Sequence, residues 1–479
     1  MTNATGAARR ARPAAVPRLF GPIRPRPRWL ELRLLALVAV ALAVGSLSLE
    51  ATVHGKLGLY DPEGLAIYVI ALFAAHAAQV LAGRRTDQIL LPTIGLLGGI
   101  SLLLMQRLPQ DLVTQTFFGT KFGLAEVQLI WLVLALALAT TLAIVVRSDS
   151  WLRRYKYTWA AVGVGLLLLT FVFGTEINGQ RLTLQLGPFS GQPTELLKVI
   201  LVVFLAGYLS ENRTLLMEQD TRLGPLRMPP LAYLAPMVAM WAIALGIVVV
   251  QRDLGAALLF FGVFLAMLYV ATGRISLVII GLVLFVLGSA LMAMLFDHIR
   301  TRVDIWIDPF ADPLGAGYQV VQALHAFARG GLLGVGFGAG LPEIGGRPPI
   351  PEVHTDFPLA ALGEELGIVG VIALLGLYLV VVERGLRIGA AAADDFRSLL
   401  AIGLALVIGI QAFIIAAGDL KVLPLTGVTL PFISYGGSSL LANALVIGLL
   451  LALSDNGVEP PPPPRVGSRW RRLGRQGIA

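Results

Sequence analysis

Long apolar runs separated by short polar connectors recur along almost the whole chain. Runs of about 18 or more apolar residues are long enough to cross a bilayer as helices. The pattern predicts helices at 32–49, 64–82, 89–106, 124–146, 157–174, 194–210, 231–250, 254–272, 275–296, 358–382, 398–418 and 430–453. The expected fold class is therefore all-α, a polytopic helical membrane protein of about twelve transmembrane helices. The first run, Glu31 to Leu49, follows an Arg-rich stretch as a signal peptide does. It lacks a small-residue cleavage site at the usual distance, so it reads as an uncleaved first helix.

Composition strengthens this picture. The 479 residues are 56% hydrophobic and 14% charged, with a mean hydropathy of +0.79. Soluble domains carry about 25% charged residues. A formal charge of +8 invites a nucleic-acid reading, but eight Arg lie in the first 33 residues and five in the last 15. Topology control explains that distribution better, so no nucleic-acid partner is expected. Cys is absent, which excludes disulfide, Fe–S and thiol chemistry.

The positive-inside rule tests the helix count. With the N-terminus inside, the cytoplasmic loops and tails hold 26 of the 37 Lys and Arg, ten lie outside, and Lys198 falls within a helix. Twelve spans with both termini cytoplasmic satisfy the rule. Residues 1–30 read as a disordered Arg/Pro-rich tail, and 457–479 as a second tail containing the Pro460–Pro464 run. The same topology places the polar stretches Thr175–Gln192, Gln251–Asp253, Asp297–Phe357 and Gly418–Thr429 on the outer side. That is the organisation of an enzyme or carrier with an external site.

Several stretches carry candidate chemistry. In T-E-L-L-K at 194–198, Glu195 and Lys198 share a helical face, either as a local ion pair or as a charged cavity lining. Gln251-Arg252-Asp253 is a tight hairpin between apolar runs. The loop 297–357 holds an amphipathic piece, Gly317–Ala328, and glycines at 330, 331, 334, 336, 338 and 340. No strand precedes these glycines, which argues against a phosphate-cradling loop. Ile350–Gly367 gathers Glu352, His354, Asp356, Glu364 and Glu365 where the chain re-enters the membrane. Charges are costly there. One His and no Cys speak against structural zinc, whereas a loosely held Mg²⁺ or Mn²⁺ on Asp356 and Glu352 stays open. The run 427–439 contains no G-x-S-x-G, so no serine nucleophile is proposed.

Seven motifs occur in order: N-G at 178–179, G-P-F-S-x-Q-P-x-E-x-x-K at 187–198, Q-x-D-L-G at 251–255, G-x-G-Y-Q at 315–319, H-T-D-F at 354–357, G-E-E-L-G at 363–367 and L-P-F-I-S-Y-G-G-S-S at 430–439. With them the chain resembles the SEDS family (shape, elongation, division and sporulation), which includes FtsW, RodA and SpoVE. The resemblance runs from about residue 89 to 453. It implies a ten-helix membrane domain at 89–456, preceded here by two additional helices within 31–88.

The resemblance further implies a peptidoglycan glycosyltransferase that polymerises lipid II into glycan strands at the outer face of the bacterial cytoplasmic membrane, beside a class B penicillin-binding transpeptidase. Its essential acid maps to Asp356, expected as the base that deprotonates the acceptor hydroxyl. Expected substrate-binding residues are Arg181, Glu195, Lys198, Gln251, Asp253, Gln319, His354, Glu364, Glu365, Ser434 and Tyr435. No organic cofactor is expected, and a divalent cation is left open. Two positions depart from the family pattern: Leu182 stands where Trp is common, and Arg252 where Pro is usual. A lipid-linked precursor flippase and a scaffold for the transpeptidase are the competing readings.

Overall fold

The computed structural model describes residues 25–455, apart from 118–119, 178–179, 187–188, 219–220, 224–225, most of 229–252, and 341–346. Among the described residues, eleven helices are long and apolar enough to cross a membrane. These are α1 (Trp29–His54), α2 (Pro62–Leu81), α3 (Leu90–Arg107), α4 (Leu124–Val145), α6 (Lys156–Phe173), α7 (Pro193–Glu218), α8 (Leu254–Thr272), α9 (Ile275–Leu295), α12 (Pro358–Ala390), α13 (Asp395–Asp419) and α14 (Gly437–Ser454). The span expected at 231–250 falls mostly outside the described residues, and the positions described within it are helical; residues 1–24 and 456–479 also lie outside. Shorter helices are α5 (Ser150–Arg154), α10 (Asp297–Ile307) and α11 (Tyr318–Gly330).

Helix ends are set by local chemistry. The Asp61, Asp253 and Asp394 carboxylates each accept from a backbone amide in the first turn, at 3.0 Å. Such caps satisfy donors that lipid cannot. Small residues then allow close crossings: a Cβ on Gly385 of α12 would lie 2.4 Å from Ala405 on α13. α3, α7, α13 and α14 form the buried centre, whereas α9 presents nearly all its surface outward.

At one end of the bundle a buried polar network ties α1 and α2 to the remainder. Glu31 is fully buried and pairs with Arg28, and His76 Nδ1 lies 2.6 Å from its carboxylate. Arg28 also donates to the hydroxyl of Thr86 at 2.6 Å and its carbonyl at 3.1 Å. Asp87 in turn accepts from Arg384 Nε of α12 at 2.8 Å. Glu31→Ala would strand Arg28 and His76 in the interior, so a loss of roughly 3–5 kcal/mol is expected. It should register as a lowered thermal unfolding temperature of the purified protein.

At the other end, polar segments cover the helix ends. β1 (Gln115–Phe117) and β2 (Thr120–Phe122) form a hairpin with Gln115 opposite Phe122. The predicted loop 175–192 contains an antiparallel meander of β3 (Thr175–Ile177), β4 (Gln180–Leu186) and β5 (Phe189–Gly191). At the opposite end, that of the Arg28 network, a short hairpin of β6 (Thr221–Leu223) and β7 (Leu226–Met228) follows α7.

Candidate active site

The segment Ile350–Phe357 folds as successive turns ahead of α12. The amides of Thr355 and Asp356 both donate to the Glu352 carbonyl, at 3.1 and 2.9 Å. They hold Glu352 at φ 54, a left-handed value uncommon for residues with a side chain. Glu352 is exposed, His354 buried and Asp356 half-buried. Removal from water pushes the Asp356 carboxyl up to about 6, with the charge of Glu352 adding to the shift. Arg302 and a hydrogen bond from Thr355 oppose it. Burial moves His354 down from its ordinary range, against the pull of Glu352. Its Nδ1 has no hydrogen-bond partner among the described residues.

A second loop, Leu430–Gly436, closes over this turn. The Tyr435 amide donates to the His354 carbonyl at 2.7 Å, and the two rings lie 5.7 Å apart. Burial pushes the Tyr435 phenol up to about 12, so it stays protonated, and its oxygen accepts from Gln115 at 3.2 Å. The loop contains Phe432 at φ 63 and is pinned from inside. The Leu430 amide donates to Ser434 Oγ at 2.8 Å, Ser101 donates to the Ile433 carbonyl at 2.6 Å, and Tyr378 donates to the Pro431 carbonyl at 2.6 Å. Ser434 is thus occupied in shaping the loop that carries Tyr435.

Arg302 and Asp419, from other elements, lie within electrostatic reach of Asp356, and Asp253 is coupled to Arg302. Arg302 on α10 donates to the carbonyls of Leu425 and Thr426 at 3.4 Å. Burial lowers its pKa, while the opposite charges of Asp356 and Asp253 hold it ionised. Asp253 is pushed up to about 6 by burial, with its capped amide of Ala256 pulling the other way. Asp419, the last residue of α13, is buried and lies within electrostatic reach of Asp356. Neither of its carboxylate oxygens has a hydrogen-bond partner among the described residues.

Lys198 sits deeper, fully buried on α7. Its ammonium donates to Glu195 at 2.7 Å and to Gln411 and Asn443 at 2.8 Å each. Three oxygens match its three donors, and they join α7, α13 and α14. The bridge to Glu195 is the ion pair of the two sequence readings, and the contacts to two further helices make it a core hub. Lys198→Ala removes every donor from these oxygens, so a loss of roughly 3–5 kcal/mol is expected. It would appear as a lower unfolding temperature.

α12 is broken at Gly367, where φ is 67 and ψ −172. The glycine-rich segment after α11 fills the break. The amides of Val335 and Gly336 donate to the carbonyls of Glu364 and Glu365, each at 3.0 Å. In return the amides of Ile368 and Val369 donate to the carbonyls of Gly331 and Leu332, at 3.0 and 3.2 Å. Irregular backbone at the edge of a membrane helix requires such pairing. Ion pairs complete the clamp: Arg329 Nε lies 2.9 Å from Glu364, and Arg107 Nε lies 3.3 Å from Glu365. Glu364 and Glu365 therefore fasten the short helix that follows Asp356. α1 joins from outside, since Ser48 and Thr52 both donate to the Phe337 carbonyl at 3.2 Å.

Of the residues expected from sequence, Asp356, His354 and Tyr435 come together, with Asp253 electrostatically linked through Arg302. Gln319 lies half-buried in the first turn of α11, apart from these contacts. Gln251 and the Arg181 side chain lie outside the described residues. Sequence reasoning missed Arg302, Arg107 and Asp419. A lone acid ending the apolar run 398–418 was the available signal for Asp419. For a divalent cation, Asp356 and Glu352 supply two carboxylates. No cluster of three or more metal-ligating side chains occurs among the described residues, so these groups do not form a closed protein site. Mg²⁺ commonly takes one or two carboxylates together with substrate phosphates.

A family model described as "Cell cycle protein", covering FtsW, RodA and SpoVE, matches residues 88–458. The peptidoglycan glycosyltransferase RodA of Mycobacterium tuberculosis is 38% identical over 446 residues, 92% of this chain and 93% of that protein. Among solved structures, a chain of a peptidoglycan synthase complex, studied for the coordination of polymerization and crosslinking, aligns with a TM-score of 0.61 at 27% identity. It covers 78% of this chain and 99% of that one. The Thermus thermophilus rod shape determining protein RodA aligns with a TM-score of 0.53 at 26% identity and the same coverage. The ordered motifs, the helical architecture and a family match over most of the chain agree, and the chain belongs to the FtsW/RodA/SpoVE family.

Proposed function

We infer that this chain is a peptidoglycan glycosyltransferase that polymerises lipid II into glycan strands, with Asp356 as its base. The reading rests on the Asp356 turn: a half-buried carboxyl that ionises near 6, beside neutral His354 and facing Arg302. The acceptor sugar's 4-hydroxyl attacks the anomeric carbon of the donor strand. Its proton passes to Asp356, the new glycosidic bond forms with inversion, and the bond to pyrophosphate breaks. Polyprenyl pyrophosphate leaves as an anion, and Arg302 is the cation best placed to face that charge. Glu352 and Asp356 would hold a divalent cation, which would supply charge neutralisation for the leaving pyrophosphate.

The excess of Arg and Lys at the opposite end supports placing this site outside the cytoplasmic membrane, with both termini inside. The name of the M. tuberculosis relative supports the activity. The synthase complex, which combines polymerization with crosslinking, supports a class B penicillin-binding transpeptidase as partner. The organisation of 31–88 as two helices added to a catalytic domain at 89–456 is part of the same reading, as are the competing flippase and scaffold roles it displaces. A translocation path needs charged groups available to cargo, whereas Lys198 is fully engaged by three oxygens.

The test is the full chain in proteoliposomes with lipid II and Mg²⁺ or Mn²⁺, with and without the transpeptidase. Glycan strands on a gel are the expected product. Movement of lipid II across the bilayer with no polymer under any condition would overturn the reading in favour of a transporter.

A further inference from the structure

The end of the bundle opposite Asp356 holds a cavity of about 320 Å³. That is within the range of small-ligand sites, about 300–1,000 Å³. Arg26, Arg84, Arg85, Arg147 and Arg397 line it, brought together from four places in the chain. They come from the approach to α1, the α2–α3 connector, the α4–α5 connector and the first turn of α13. The wall also contains two acids, each engaged by one of these arginines. Asp455 lies 2.8 Å from Arg84 Nη1, and Asp149 lies 3.7 Å from Arg397 Nε. Five arginines against two aspartates leave the wall with three excess positive charges. The floor is apolar, formed by Leu152, Leu400, Leu449 and Leu453.

Arg84 and Arg397 are half-buried, and Arg26, Arg85 and Arg147 are exposed at the rim; like charges gathered this closely repel one another, and an anion among them relieves that repulsion. Arg84 records that crowding. Burial disfavours its charge, Asp455 supports it, and the neighbouring Arg147 opposes it again. The Arg85 guanidinium has no partner among the described residues. Planar arginine forks match the oxygens of a phosphate better than any other side chain. An apolar floor beneath a basic rim suits the glycerol end of a phospholipid, and basic pockets between membrane helices recur as headgroup sites.

We propose that this cavity binds a phosphate-bearing anion, either the headgroup of an acidic phospholipid or a soluble phosphate. The bound anion would bridge the α2–α3 connector to the ends of α4, α13 and α14. It would thereby secure the N-terminal helix pair to the rest of the bundle.

The test uses the full chain in neutral detergent, titrated with phosphatidylglycerol, phosphatidylcholine or inorganic phosphate. Native mass spectrometry reads retained lipid, and thermal unfolding reads stabilisation. The comparison protein is the double variant Arg26→Glu/Arg85→Glu, whose unfolding temperature without ligand reports that the fold is kept. The expected result is about a tenfold preference for phosphatidylglycerol over phosphatidylcholine, lost in the double variant. Stabilisation of the wild type but not the variant by inorganic phosphate, without lipid preference, would assign the site to a soluble phosphate. Equal retention of both lipids with no phosphate effect, or unchanged binding by a folded variant, would overturn the proposal.

Discussion

Asp356→Asn is expected to lower glycan polymerisation by about 10²–10⁴-fold, the usual contribution of a positioned general base. Its unfolding temperature should change little, because burial opposes the charge of Asp356 and Arg302 keeps the Leu425 and Thr426 carbonyls and the charge of Asp253. The pH profile carries the sharper expectation. Only the ionised carboxyl can accept a proton, and burial has raised its pKa from the ordinary value of 3.8 to about 6. Activity of the wild type should therefore rise about tenfold per pH unit below 6 and level off above it. Because Arg302 opposes the shift, Arg302→Gln should move the midpoint to higher pH. The same raised pKa means that Asp356 favours the folded state at low pH. That contribution fades as pH rises through about 6, so stability and activity run in opposite directions across the same window. Activity that is flat from pH 5 to 8, or equal polymer from the Asn variant, would remove Asp356 from the role.

Gly367→Ala should be nearly as damaging, by a different route. A Cβ there would lie 2.3 Å from the Gly334 amide nitrogen and 2.5 Å from the Leu332 carbonyl oxygen. Both are backbone atoms of the segment that fills the helix break, so neither can swing aside. The backbone conformation alone costs an Ala side chain about 1–3 kcal/mol. Relief requires parting the glycine-rich segment from α12, which releases the short helix following Asp356. We expect a lower unfolding temperature together with loss of polymerisation. Gly376→Ala in the same helix is the control. A Cβ there meets nothing within 4 Å, and Ala favours helix over Gly by about 1 kcal/mol. If the two variants unfold alike, the clamp is not what holds the site.

The helices and the Asp356 turn were legible because both are local. Apolar runs of membrane length report spans directly, and H-T-D-F needs no distant partner to be noticed. Lys198 shows the opposite case, since its partners Gln411 and Asn443 are 213 and 245 residues away. No spacing rule brings them together. Arg302 was hidden in a loop read for its acids, and the one-sided pattern of Asp297–Ile307 is too short to stand out. The run from 430 read as helix because Leu430, Phe432 and Ile433 are apolar and buried, yet α14 begins only at Gly437. Side chains from α3 and α12 satisfy that irregular backbone, which a sequence window cannot see.

The first helix lies ahead of the stretch matched by the family model, yet it touches both ends of the molecule. At 26 residues it is about 39 Å long. Its start is locked by Arg28 and Glu31, and its far turns grip Phe337 through Ser48 and Thr52. One helix outside the matched stretch is thus fastened at both ends by polar contacts, to the Arg28 network at one and to the segment that braces the Asp356 turn at the other.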